Sequence, residues 1–216
     1  MSLVTTLWSM QAAAALTLAV LYAVVWSVDR RNLANLTVCI VAVAMAVTAR
    51  AEVGMMHATT VTEYAEWASR LYLPLFFAFV GQLLFVHLFL GTGRPWLLWT
   101  IVVARVAMLV GNFLTQPTLA WREIVGLRQV PFLGEQVSLA GPIVLRSWHA
   151  LSLASNVLLI VFIADAALQA WRQGGAEGRR KALVILVGVG LPLALTLVYA
   201  QSVLLGVLGI QRPPLA

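Results

Sequence analysis

The chain is short of charge. Only 10% of its 216 residues are Asp, Glu, Lys or Arg, against roughly a quarter in an ordinary soluble domain. Hydrophobic residues make up 62%, and the mean hydropathy is +0.93, which excludes a free-standing soluble domain. Cysteine is nearly missing. Cys39 stands alone inside an apolar run, so no intrachain disulfide can form, and its plain reading is a small buried apolar group. Catalytic signatures are missing too: no HExxH, P-loop or GxSxG pattern occurs, and nothing pairs a nucleophile with a base. Gly91-Thr92-Gly93 is too short for a phosphate loop and reads as a helix–helix turn. The chain is therefore not expected to be an enzyme. The net charge of +6 is spread over span ends and short loops, unlike the basic stripe of a nucleic-acid surface, so no nucleic-acid partner is expected. No Cys-His or His-rich spacing suggests a metal site, and no cofactor can be named. Of the three histidines only His57 and His149 share a membrane face, and a haem would want them on facing helices at one depth, against which His57 stands in or at the edge of a loop.

What is present is a series of apolar runs, each long enough to cross a bilayer. They predict an all-α polytopic helix bundle forming one domain over residues 1–216. Six spans are expected: about Val4 to Val28, Leu33 to Val53, Glu63 to Leu90, Trp96 to Leu114, Val144 to Trp171 and Ala182 to Leu208. The absence of ten-residue alternating segments excludes an outer-membrane barrel. The N-terminus has no basic segment ahead of its apolar run, so the first span is expected to be uncleaved rather than a signal peptide. Trp8 and Trp26 fall near its two ends, where interfacial rings belong. Arg30 and Arg31, Arg94, and the group Arg172, Arg179, Arg180 and Lys181 fall in loops on one side. By the positive-inside bias that side is cytoplasmic. The chain is thus expected in a bacterial inner membrane, multi-pass, with its N-terminus outside.

Residues 115–142 interrupt the pattern. They are too polar and turn-rich to span, yet Trp121, Phe132 and several Leu, Ile and Val stand among Arg122, Glu123, Arg128 and Glu135. A disordered linker rarely keeps so many large apolar groups. An ordered extracytoplasmic cap between spans 4 and 5 is expected.

Arg105 is the sharpest irregularity. It lies about ten residues into span 4, roughly 15 Å along a helix, where a charge is costly and faces a partner, a cavity or the bundle interior. A helix-locking pair, a ligand or signalling role, and snorkelling on a tilted helix all remain open. Asp165 is the natural partner by charge, although Arg172 or Arg94 would also answer it. Arg50 and Glu52 close span 2 and pair with each other or with the cap. Glu66 and Arg70, four apart, suit one helical face. Gln82, Asn112, Asn156 and Gln201 read as interhelical hydrogen-bonding groups. Asn112 and Gln116 with Arg146 and His149 are placed to line a polar pocket beneath the cap, walled by Trp121, Phe132 and Trp148; with Arg105 they form the candidate ligand site. Asp165, Arg50, Glu52, Glu66 and Arg70 are the candidate structural or coupling residues. Pro74 and Pro192 are candidate helix bends.

The stretches Arg94-Pro95-Trp96-Leu97, Arg105, Asn112-Phe113-Leu114, Trp121-Arg122-Glu123-Ile124 and Pro131-Phe132-Leu133-Gly134-Glu135 resemble the N-terminal multispanning sensor region of bacterial PAS-containing sensor histidine kinases. Phe162-Ile163-Ala164-Asp165-Ala166-Ala167, Trp171 and Arg179-Arg180-Lys181-Ala182 extend the likeness over nearly the whole chain. The resemblance implies a signal-input module of a two-component system that binds a small or lipophilic ligand, or senses the membrane state. It also implies a seventh span and cytoplasmic PAS-like and kinase domains, which lie beyond this chain. The phosphorylated histidine would sit there, not at His57, His87 or His149. Membrane lipids and an unidentified ligand are the expected partners, and a homodimer is left open. Two other readings compete: a small transporter or channel, with a water route through Arg105 to both faces, and an accessory subunit of a membrane complex, with a broad covered flank. No internal repeat supports the transporter.

Overall fold

The computed structural model describes residues 2–115, 121–141, 143–145, 148–195 and 197–198. Among the described residues, five helices are long and apolar enough to cross a membrane: α1 Leu3–Val28, α2 Leu33–Met56, α3 Val61–Leu90, α4 Pro95–Leu114 and α5 Trp148–Gln173. The chain is a multi-pass membrane protein. A sixth helix, α6 Gly175–Ile185, continues through a π-helical turn at Leu186–Gly190 into further helical residues. That turn stands just before Pro192. Proline has no N–H to donate and clashes with the carbonyl four residues back, and a widened turn is a usual way to absorb this. The end of the expected sixth span lies outside the described residues.

Local signals set the helix ends. Ser2 Oγ accepts from Thr5 N at 3.1 Å to open α1. Thr60 Oγ accepts from Glu63 N at 3.1 Å, while the Glu63 carboxylate accepts from Thr59 N at 2.9 Å. This reciprocal cap starts α3 at Val61, two residues before the expected Glu63. Gly91, at φ +64°, closes the same helix, its N–H on His87 O at 2.9 Å. Pro95 opens α4.

The helices pack in chain order, with α3 at the centre against α2, α4, α5 and α6. In lipid, apolar surface gains little from burial, so close approach of small residues must hold helices together. α2 supplies them: its buried residues are Thr37, Ala42, Ala44, Ala46, Thr48, Ala49, Ala51 and Gly54. A Cβ at Gly54 would fall 2.4 Å from the Trp67 ring, so glycine lets that indole lie on α2. At the end of the bundle holding the short basic loops, Leu83, Val86, Leu97, Ile101, Leu159 and Phe162 form the main buried apolar cluster.

The described part of the cap is not helical. It is an antiparallel β-hairpin in two segments: β2 Leu127–Phe132 pairs with β3 Glu135–Ala140, and β1 Trp121–Ile124 pairs with β4 Ile143–Leu145. Gly141 N donates to Gly126 O at 2.8 Å between the segments. The all-α expectation is corrected here to mostly helical. Val144, expected to open span 5, lies instead in β4, and α5 begins at Trp148. The tip is a two-residue turn with both residues at positive φ, Leu133 at +52° and Gly134 at +84°. That geometry matches the twist of paired strands.

The hairpin lies across one end of the bundle. Its root packs on α3, where Trp121 stacks on Tyr64 with centroids 6.2 Å apart and Ile124 joins the cluster of Ala58, Tyr64 and Ala65. Midway, Ser138 Oγ donates to Ala58 O at 2.6 Å and receives Gln129 Nε2 at 2.8 Å. The tip reaches α1: Glu135 accepts from Val4 N at 2.8 Å, and Phe132 meets Trp8 edge to face at 6.4 Å. One strap thus ties α3 to α1.

Candidate functional site

A cavity of about 420 Å³ opens beneath the hairpin root. One face of α3 forms its long wall: Tyr64, Ala68, Leu71, Tyr72, Leu75, Phe76 and Phe79, at the spacing of a single helical stripe. From Tyr64 to Phe79 that wall runs roughly 22 Å. Met108 and Leu109 of α4, Ser152 and Asn156 of α5, Met55 of α2 and Trp121 of the hairpin complete it. The slot runs from the hairpin toward the middle of the bundle, and Arg105 lies at the deep end.

Arg105 is 6% exposed. One of its terminal nitrogens donates to Asn156 Oδ1, and the guanidinium carbon stands 3.9 Å from the Phe79 ring centroid. Its Nε is buried without a hydrogen-bond partner. Among the described residues no carboxylate lies within ion-pair distance of it. Among the described residues the cation is therefore held by one neutral amide and one ring face. A guanidinium offers five donors, and a buried charge without a counter-ion is costly. Beyond Arg105, away from the hairpin, Ile101, Leu97 and the rest of the apolar cluster close the bundle.

Of the partners the sequence left open for Asp165, the structure shows Arg94 and not Arg105. Asp165 stands 3.5 Å from Arg94 and accepts from Gln169 Nε2 at 2.8 Å. Depth decides it. Measured from the hairpin end, Arg105 lies roughly 14 Å along α4 and Asn156 roughly 12 Å along α5, whereas Asp165 lies roughly 26 Å along. Arg50 and Glu52 do not pair with each other either. Arg50 lies over the Trp67 ring at 4.9 Å, and Glu52 accepts from Trp8 Nε1 at 2.7 Å. Glu66 and Arg70 do pair, at 3.3 Å on an exposed face.

Of the residues expected to share a pocket, the cavity unites Arg105 and Trp121. Asn112, 1% exposed, donates to both Ser69 O and Ser69 Oγ at 3.0 Å and lines a neighbouring recess between α3 and α4. Trp148 borders an apolar groove on the far side of α4. Phe132 is at the hairpin tip, and half-buried His149 is outside the cavity wall. Gln116 and Arg146 lie outside the described residues. Sequence alone did not place Asn156, Ser152, Phe79 and Tyr64 in a site. Equal depth with Arg105 was the available signal for Asn156, and the fourfold stripe on α3 was the signal for the aromatics.

Glu135 carries a role that the sequence does not signal. The Ser2 hydroxyl, then the Val4 N–H, and then His57 hold its carboxyl below the usual carboxylate range. His57 Nε2 stands 3.7 Å from Glu135 Oε2.

The chain matches no protein-family model, no curated protein and no solved structure.

Proposed function

We propose that this chain is a membrane-embedded signal-input module that takes a small or lipophilic ligand into the slot beneath the hairpin and relays its occupancy to an output kinase. The carrying observation is Arg105, a buried guanidinium without a carboxylate at the wall of a cavity. A charge kept at such a cost in the wall of a cavity suits a ligand better than it suits the scaffold. The apolar cluster beyond Arg105 favours a blind pocket over a route across the membrane, and so a receptor over a transporter.

In this reading the hairpin faces outward from a bacterial inner membrane, and the basic segment at 172–181 faces the cytoplasm. The chain performs no chemistry. Phosphoryl transfer belongs to the kinase output and not to the helix bundle, as the resemblance to sensor kinases implies. Relay works by population shift. A ligand between α3, α4 and α5 touches Trp121, the hairpin carries the change to α1, and α5 carries it through Gly174 to the far face.

The test extracts the chain directly from its membrane into polymer-bounded lipid discs and surveys the retained small molecules by mass spectrometry. Wild type is expected to hold a non-phospholipid molecule that Leu75→Trp, which fills the slot, has lost. Identical inventories would remove the binding reading.

A further inference from the structure

We infer that the ligand is a small lipophilic anion, a free acid that enters acid end first and seats its oxygens on Arg105. The inference rests on the binding reading above and adds the chemical class. Three observations carry it.

The first is charge. Among the described residues the wall contains a guanidinium and no Asp or Glu, so a cationic ligand would meet its own sign. An anion supplies the counter-charge that the described residues do not. It also satisfies the unpartnered Nε through the side-on, two-point geometry in which guanidinium binds a carboxylate. Asn156 accepts from Arg105 through Oδ1, which leaves its Nδ2 to donate to the same acid group.

The second is shape. Apart from Arg105, Asn156 and Ser152, the wall is aliphatic and aromatic, with the hydroxyls of Tyr64 and Tyr72 its other side-chain oxygens. At ~30 Å³ per water-sized group, 420 Å³ accommodates roughly 14 non-hydrogen atoms. That is a medium-chain acid and far less than a two-tailed lipid.

The third is depth. Arg105 is the eleventh residue of the 20-residue α4, near the bilayer middle for a hydrocarbon core of about 30 Å. A phospholipid keeps its headgroup at the surface and would present its tails here. A free acid of this size can invert, acid end deep and tail under Trp121.

The experiment measures equilibrium binding of labelled decanoate to the full chain in phosphatidylcholine nanodiscs at mildly alkaline pH, corrected for empty discs. Decanol and short-chain phosphatidylglycerol are compared with it. Saturable decanoate binding, stronger than decanol binding by about tenfold or more, is expected. Arg105→Gln should reduce decanoate to the decanol level, and Arg105→Lys should restore part of the difference. Phosphatidylglycerol should compete poorly. Equal binding of decanoate and decanol, both abolished by Leu75→Trp, would overturn the anion and leave the pocket standing. Competition by phosphatidylglycerol as strong as by decanoate would overturn the free acid in favour of a bilayer lipid. No saturable binding of any probe, with Leu75→Trp indistinguishable from wild type, would overturn both this inference and the reading beneath it.

Discussion

Arg105 shows how far single residues can be read. Its cost inside the membrane was legible from position alone, because the apolar residues on either side fix its depth. Its partner was not. Opposite charge points to Asp165, but helices are rigid rulers at 1.5 Å per residue, and the ruler points to Asn156 instead. An antiparallel pair of spans must be counted from the shared end, and a charge match at the wrong depth is no match. Asn156→Leu tests the consequence. It strips the guanidinium of its oxygen acceptor and is expected to destabilise the chain by about 1–3 kcal/mol. Combining it with Arg105→Met should recover most of that loss. A double-mutant cycle of thermal midpoints in nanodiscs measures the coupling, and strict additivity would show that the two side chains do not interact.

At the scale of elements, the five long helices were legible because span length and composition are nearly sufficient in a bilayer. The cap was legible as ordered but not as strands. Its two arms, LRQVPF and EQVSLA, flank a two-residue turn, yet the usual signals are blurred. Pro131 sits inside β2, where proline argues against a strand. The turn is Leu133-Gly134 instead of the Asn-Gly or Asp-Gly that this geometry favours. Pairing partners across the bundle, such as Ser138 with Ala58, leave no local trace at all.

The same hairpin carries a pH prediction. The carboxyl of Glu135 is held below its ordinary range by the Ser2 hydroxyl and the Val4 N–H. A depressed folded pKa means stability that is present above the unfolded value and lost as pH falls through the folded one. The tip should therefore stay on α1 through the ordinary carboxylate titration near ~4.3 and release only below it. Spin labels at Met10→Cys and Gln136→Cys, in a Cys39→Ala background, report the distance. A narrow distribution that broadens only in stronger acid is expected, with Glu135→Gln broad at every pH. A pH-independent narrow distribution in that variant would show that the carboxylate does not hold the tip.

At the scale of the molecule, orientation and stability are the quantities to measure. The proposed orientation, argued from the positive-inside bias, has the hairpin outside and residues 172–181 in the cytoplasm. Single cysteines at Arg128 and Ala176, in the same Cys39→Ala background, are expected to label and to resist an impermeant maleimide, respectively, in intact cells. The reverse pattern would invert the membrane placement. The most direct test of the central claim is the thermal midpoint of Arg105→Met against wild type in ligand-free nanodiscs. An arginine at a helix centre costs about 2.5–3.5 kcal/mol, and the interhelical hydrogen bond lost with it contributes about 0.6–2 kcal/mol. If the guanidinium is kept for a ligand, the variant should melt at the wild-type temperature or a few degrees above it. A midpoint that falls steeply would make Arg105 a structural pin and contradict its role as a ligand's counter-charge.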